Sequence, residues 1–432
     1  MKVLVIGSGA REHALALALR RDPEVGEVVV APGNPGMADV ASCIDLPGGG
    51  ADPAAVGDLA VAHGADLVVI GPEAPLVAGC ADAVVERGIP CFGPSAQAAQ
   101  LEGSKAFAKE VMKAAGVPTA DAIVCRSVDE VMEAFERFGA PFVVKDDGLA
   151  AGKGVVVTEV RSQALAHAAQ CLERKVGPGE PAPQVVIEEF LDGPEISLFC
   201  LTDGTTVVPL APAQDFKRLQ DGGRGPNTGG MGAYSPLDWA PDTLVEEVLE
   251  TIARPTVAEM ASRGVPFVGV LYVGLALTRH GLRVVEFNAR FGDPETQVVL
   301  ARLTTPLGGV LAAAATGRLH ELPPLEWSED HAVTVVVAAR GYPEAPRKGD
   351  AVEIGDLGEA YALHAGTRRS ADGLVTSGGR VLSVVATGSD LAEARRRAYD
   401  GVAGISISGS QHRRDIGLAA AEGRVRRPGS PA

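Results

Sequence analysis

The sequence predicts a multidomain chain of mixed α/β and α+β class. Residues 1–95 alternate short, continuous apolar runs with helix-length segments, the pattern of an open parallel sheet covered on both faces. Residues 122–193 change style, with two β runs joined by a glycine-bearing loop, as in an enlarged hairpin. The length of 432 residues, at roughly 150 residues per domain, allows about three domains. A hydrophobic share of 46% supplies ample core and excludes wholesale disorder. The 53 glycines and 30 prolines follow no collagen period, so they read as tight loops in a folded protein.

The first strands are expected at Val3–Ile6, Val28–Val30, Leu67–Ile70 and Ile89–Phe92. Three of them run into turns: Gly7-Ser8-Gly9, Gly71-Pro72-Glu73 and Gly93-Pro94-Ser95. Ligands of open α/β sheets sit at carboxyl strand ends, so these turns are candidate ligand walls. A helix should span Ser104–Ala115 and stop at Gly116-Val117-Pro118. Next come a strand at Ala122–Val124, a helix at Val128–Phe138, strands at Phe142–Lys145 and Val155–Val157, a helix at Gln163–Glu173 and a strand at Val185–Ile187. Gly177–Pro183 reads as an exposed loop. Strand-like runs follow at 196–201, 206–210, 271–277 and 283–287, interrupted by an unusual loop at 221–236. The last region should hold strands at Val333–Ala338 and Val381–Ala386, a helix at Leu391–Ala398 and a frayed tail.

Charge and cysteine usage narrow the function class. With 39 basic and 55 acidic residues the formal net charge is −16, which disfavours a general nucleic-acid or anionic-membrane surface. No stretch approaches the ~18 apolar residues of a membrane span, and Met1–Gly7 reads as a buried strand, not a signal peptide. The six cysteines are scattered without a CxxC pair, so neither a disulfide framework nor a structural zinc site is expected. A cytoplasmic, reduced enzyme is the expectation.

Gly7-Ser8-Gly9-Ala10-Arg11-Glu12 has the start of a dinucleotide fingerprint, but Glu12 stands where a small residue should permit close packing. The second strand ends Ala31-Pro32-Gly33, with no acid for a ribose hydroxyl. A phosphate-bearing substrate fits this turn better than NAD does. Lys145 to Gly154 superficially resembles a P-loop. It fails because Gly148 and Gly152 stand one residue too close, Gly154 replaces the hydroxyl residue, and a β run follows. Lys145 at a strand end, under a glycine loop, is instead a candidate donor to ATP phosphates; an ordinary surface hairpin is the alternative. Glu188 and Glu189 close an apolar strand, where they could accept from an adenine amine and ribose hydroxyls or simply face solvent. Gly222 to Gly232 packs six glycines into eleven residues together with Asn227, Thr228 and Met231, which favours a close-approach substrate loop over a linker.

The segment Arg283–Glu295 is the most informative. In a strand, Glu286 and Asn288 point to one side, and two hard oxygens beside a triphosphate suit Mg²⁺. Arg290 would continue that alternation with a planar fork for carboxylate or phosphate.

Together with Gln100–Phe107, Gly225–Pro236, His364–Thr367, Gly378–Leu382 and Arg414–Gly417, these segments resemble the phosphoribosylamine–glycine ligase family of the ATP-grasp superfamily nearly end to end. The resemblance implies an ATP-grasp fold with an amino-terminal open parallel-sheet domain (1–102), a connecting helix (103–121), a small lid lobe (122–193), a large lobe (194–325), a small carboxyl-terminal domain (326–424) and a flexible tail (425–432). It implies ligation of glycine to 5-phosphoribosylamine, with ATP as co-substrate and Mg²⁺, or Mn²⁺, as the metal. Lys105, Lys145, Gly148, Gly152, Lys153, Gly154, Glu188, Glu189, Phe190, Leu191 and Glu195 would surround ATP, with Glu286 and Asn288 on the metal. Gly9, Glu73, Asp215, Lys217, Asn227, Thr228, Gly229, Arg290, Asp293, Pro294 and Glu295 would surround the other substrates; Lys145, Asp215 and Arg290 would act in the chemistry. The partners implied are small molecules, with no nucleic acid or membrane, a monomer or weak homo-oligomer, and transient contact with neighbouring purine-pathway enzymes. Two residues depart from the family pattern: Phe216 stands where His is usual, and Asp146 stands where Ala is usual. Another ATP-grasp ligase, an NAD-dependent oxidoreductase and an inactive nucleotide-binding scaffold are the rival readings.

Overall fold

The computed structural model describes residues 1–46, 50–149, 154–174 and 182–426. The chain opens with a five-stranded parallel sheet in the order Ser42–Cys43, Glu27–Pro32, Lys2–Gly7, Leu67–Ile70, Cys91–Phe92. Its central strands are buried on both faces, which is why they read as unbroken Val/Leu/Ile runs. Lys2–Gly7 pairs with Glu27–Pro32 on one side and Leu67–Ile70 on the other, so the winding reverses there. The turns after Gly7 and Ile70 therefore flank one crevice. The run expected at Ile89–Phe92 forms a strand only over Cys91–Phe92, because Pro90 has no amide to give a ladder.

Ser104 accepts from the Phe107 amide at 3.1 Å and starts the helix Lys105–Ala114. A four-stranded antiparallel sheet follows in the order Ala122–Cys125, Val185–Glu188, Phe142–Asp146, Val155–Thr158. Helices Val128–Phe138 and Arg161–Leu172 cover one face over a core that includes Phe135, Val144, Ala168 and Ile187. The second sheet has the order Val207–Pro209, Glu195–Asp203, Val268–Thr278, Gly281–Asn288.

The expected loop at 221–236 is largely β structure. Arg218–Gln220 and Arg224–Asn227 form a hairpin, and Gly232–Ser235 is a buried strand. Glycine density concealed that strand, because its stability comes from pairing with His331–Ala338 and not from its own propensity. The resulting sheet runs Gln214–Asp215, Gly232–Ser235, His331–Ala338, Arg380–Gly388, Tyr361–His364. It crosses the boundary expected at 325/326, so the large lobe and the carboxyl-terminal region share one sheet. The helix expected at Leu391–Ala398 continues to Ala403. Among the described residues no helix is long and apolar enough to cross a membrane. Gly152 and Lys153, most of the loop expected at Gly177–Pro183 and the last residues of the tail lie outside the described residues.

Candidate active site

One cleft of about 950 Å³ lies between the antiparallel lobe, the large lobe and the turns of the first sheet. Its walls bring together Glu73, Lys105, Lys145, Gly148, Gly154, Glu188–Leu191, Glu195, Asp215, Lys217, Asn227–Gly229, Glu286, Asn288, Arg290, Asp293 and Glu295. Gly9 lies instead on an adjoining cavity of about 460 Å³ with Asn34, Thr367 and Ser377; Asp293 and Arg380 line both spaces. Pro294 lines neither. It packs against Gly230, where φ is +106° and a Cβ would lie 2.3 Å from the proline ring.

At the lid side, Lys145 projects from Phe142–Asp146 with its side chain only 5% exposed. It pairs with Glu188 at 2.8 Å and donates to the Val285 carbonyl at 2.8 Å. That carbonyl is free because the ladder slips between Gly274 and Leu275, leaving Val285 outside the paired register. Glu188 also takes Lys109 at 3.1 Å, so both of its oxygens are committed to lysines. It still lines the cleft where the adenosine role was expected of it. Glu189, Phe190 and Leu191 remain on the cleft wall, with Phe190 exposed. Lys105 donates to the Gly148 carbonyl at 3.0 Å, and Asp147 accepts from the Ala106 amide at 3.1 Å, tying the loop to the helix start.

Asp146 does not share the cleft with Lys145. Successive strand residues face opposite sides, and Asp146 pairs with Arg174 at 2.5 Å behind the sheet. Its negative charge is therefore kept from the phosphate side. The other departure, Phe216, lines the cleft with the Arg413 guanidinium 4.9 Å from its ring centre. Arg413 is in turn held by both oxygens of Asp415 at 2.7 Å.

Glu286 and Asn288 lie on one strand and both line the cleft. Burial pushes the Glu286 carboxyl up, but Lys217, Lys145, Lys105 and Arg290 together hold it below the usual range. These cations favour its anionic form, the form that a metal ion would need. Among the described residues no group of three or more His, Cys, Asp or Glu forms a metal cluster. A carboxylate and an amide oxygen, completed by phosphate oxygens, nevertheless fit Mg²⁺.

At the substrate side Arg290 stands between two carboxylates, Glu102 at 3.0 Å and Glu73 at 3.3 Å. Its Nη1 donates to the Phe291 carbonyl at 3.2 Å, while its buried Nε–H lacks a hydrogen-bond partner. Burial pushes Glu73 up, yet Arg290 and Arg11 hold it below its ordinary value. Lys217 donates to Asp215 at 3.1 Å and also to Glu195. Burial raises the Asp215 carboxyl to about 7 against the pull of Lys217, with Glu295 and Glu195 adding to the rise. Glu295 accepts from Tyr272 at 2.5 Å and from Ser197 at 3.2 Å. Glu12 accepts from the Gly9 amide and from Arg11, each at 2.6 Å. A Cβ on Gly71 would lie 2.1 Å from its carboxylate, so Glu12 fills the space between the two turns.

Models of the phosphoribosylglycinamide synthetase family match the chain in three consecutive pieces: the N domain over 1–102, the ATP-grasp (A) domain over 103–296 and the C domain over 332–419. The chain belongs to the phosphoribosylglycinamide synthetase family. The phosphoribosylamine–glycine ligase of Streptomyces coelicolor is 61% identical over 427 residues, covering 98% of this chain and 100% of that protein. The same enzyme of Mycobacterium tuberculosis is 56% identical over 431 residues, again covering 98% and 100%. The crystal structure of phosphoribosylamine–glycine ligase from Thermotoga maritima superposes with a TM-score of 0.83 at 34% identity, over 96% of this chain and 100% of that one. A biotin carboxylase from Campylobacter jejuni, at 14% identity and a TM-score of 0.74 over 98% of this chain and 95% of that one, shares the ATP-grasp fold.

Within this phosphoribosylglycinamide synthetase fold, sequence reasoning passed over Arg11, Glu102, Lys109, Tyr272, Arg380 and Arg413, all on the cleft wall. Lys109 had a signal, since it follows Lys105 by one helical turn. Arg380 donates to the carbonyls of Gly229 and Asp293 and thereby fastens the glycine loop to the carboxylate segment. Only tertiary structure brings it there.

Proposed function

We propose that this chain joins glycine to the amine of 5-phosphoribosylamine, converting ATP to ADP and phosphate and forming glycinamide ribonucleotide in purine biosynthesis. The observation that carries this reading is one cleft with lysines at one end, an arginine among carboxylates at the other, and a carboxylate beside an amide oxygen, Glu286 and Asn288, between them. Lys145 and Lys105 face the triphosphate, and Glu189, Phe190 and Leu191 wall the adenosine. Mg²⁺ would be held by Glu286 and Asn288 and supplies charge neutralisation on the triphosphate when bound; Mn²⁺ suits the same two donors.

Arg290 orients the glycine carboxylate for attack on the γ-phosphorus. One carboxylate oxygen bonds to phosphorus, the bond from phosphorus to the β,γ-bridging oxygen breaks, and ADP leaves. The ribosylamine nitrogen then attacks the carbonyl carbon of glycyl phosphate. The carbon–oxygen bond breaks, phosphate leaves with an oxygen that came from glycine, and Asp215 accepts the proton released from nitrogen. The second cavity, beside Gly9, takes the ribose phosphate end. Closure of lobe 122–193 keeps water from the acyl phosphate.

The test is transfer of ¹⁸O from labelled glycine carboxylate into the released phosphate. Labelled phosphate in equal amount to product is expected; unlabelled phosphate would reject the acyl phosphate route.

A further inference from the structure

We propose that Glu102 is a positioning residue for the glycine-activating half of the reaction, holding Arg290 with its Nε–H directed to the glycine carboxylate. The inference rests on the reading of Arg290 given above. Glu102 lies in the one-turn helix Gln100–Gly103, its side chain 8% exposed, and it borders the cleft.

Its two oxygens do different things. Oε1 pairs with Arg290 Nη2 at 3.0 Å, and Oε2 accepts from the Ala289 amide at 2.8 Å. One carboxylate thus grips both the backbone and the side chain of the dipeptide that follows Asn288. With Nη1 committed to the Phe291 carbonyl, the guanidinium plane is fixed at two corners. What remains is the buried Nε–H, without a hydrogen-bond partner although a Glu73 oxygen lies 3.3 Å away. That donor is ion-paired with Glu73 but not aligned to it, and an arriving carboxylate would supply an aligned acceptor. Glu102 therefore fixes the group that meets substrate without having to touch substrate itself.

The same short segment reaches the phosphate end. Ser104 and Ala106 bind Asp147, and Lys105 binds the Gly148 carbonyl. Arg290 and the glycine loop are thereby referenced to one strut.

Steady-state kinetics on the full chain, with glycine, ATP and phosphoribosylamine varied in turn, test this, alongside thermal unfolding. Glu102→Gln keeps an acceptor for the Ala289 amide but loses the charge that grips Arg290. It should raise KM for glycine about tenfold while KM for ATP stays within about twofold. Glu102→Asp keeps the charge on a shorter arm and should lie between Glu102→Gln and the parent. Arg290→Ala should raise KM for glycine by itself, and adding Glu102→Gln to it should cost nothing further. An unchanged glycine KM in Glu102→Gln, with Arg290→Ala impaired, overturns the inference and leaves the Arg290 reading standing. An unchanged glycine KM in Arg290→Ala overturns both. Equal rises in the KM of glycine and ATP, or failure of both Glu102 variants to fold, would assign Glu102 to the fold alone.

Discussion

The two ends of the cleft arrange their charges differently. At the lid end Lys109 and Lys145 share one buried carboxylate, Glu188, and Lys105 lines the same wall, bonded to the Gly148 carbonyl. At the other end each cation faces carboxylates: Arg290 meets Glu73 and Glu102, Lys217 meets Asp215 and Glu195, and Arg380 meets Asp293. Surplus cation suits a triphosphate. Alternating carboxylates and cations suit a zwitterion, whose ammonium and carboxylate groups each need a counter-charge. The overall charge of −16 conveys nothing of this division, which exists only once the chain is folded.

The largest effect should come from the border between the ends. Glu286→Ala removes the carboxylate whose ionised form four cations favour, and kcat should fall by about 10²-fold or more. A magnesium titration of the variant checks this, and a kcat near that of the parent at any magnesium level would remove Glu286 from the metal site.

Lys145→Met tests whether the lid-end lysine serves the fold or the nucleotide. It leaves Glu188, 4% exposed, with Lys109 as its remaining partner, so stability should drop by up to about 3 kcal/mol in denaturant unfolding. ATP affinity should fall about 10²-fold alongside. Adding Glu188→Gln removes the underpaired charge and should return most of the stability but none of the affinity. Recovery of both would make Lys145 a structural residue.

A smaller, pH-dependent effect belongs to Asp215. In the base role proposed for it, Asp215 works ionised with its carboxyl raised to about 7, so kcat/KM should rise with pH and level off above about 7. Asp215→Asn should flatten that limb, and a limb that survives the substitution belongs to another group. Stability runs the other way. The raised value means that the folded state binds the proton more tightly than the unfolded chain. This group's contribution is therefore full below its usual 3.8 and lost as pH rises through about 7.

Much of this arrangement was legible in residues that are close in sequence. Glu286, Asn288 and Arg290 lie on and just beyond one strand, and Lys145 sits beside its own glycine loop, so local spacing carried them. The open parallel sheet was legible because strands buried on both faces leave unbroken apolar runs. Glu188 was found as a cleft residue but not as a lysine partner, since its pairing depends on Lys109 from a helix outside its sheet. Arg380 and Arg413 reach the cleft from the distant carboxyl-terminal region, and no local pattern announces such a reach. The strand Gly232–Ser235 was hidden for the same reason, as its partner lies about a hundred residues on. The side that Asp146 takes was left open by the sequence, and its pairing with Arg174 turns it away from the phosphate side.

The smallest effect concerns Phe216, the one departure that does line the cleft. Its ring lies under the Arg413 guanidinium and 6.2 Å from the Tyr234 ring, so it is a packing surface between the hairpin and the carboxyl-terminal region. The guanidinium is already neutralised by Asp415, which limits what the ring contributes electrostatically. Phe216→His introduces the residue that the resemblance leads one to expect there, and a neutral imidazole can still stack. We expect stability to fall by less than about 1 kcal/mol, and kcat/KM to move by less than about threefold. Lys217 is the reason for expecting any kinetic change, because it lies next in sequence and bridges Asp215 and Glu195. A protonated imidazole would compete with it for those carboxylates, so the change should grow as pH falls below about 6.5. A pH profile of Phe216→His that parallels the parent at every pH would make the position a stacking platform only. One that diverges on the acid side would extend the carboxylate-rich end of the cleft to residue 216.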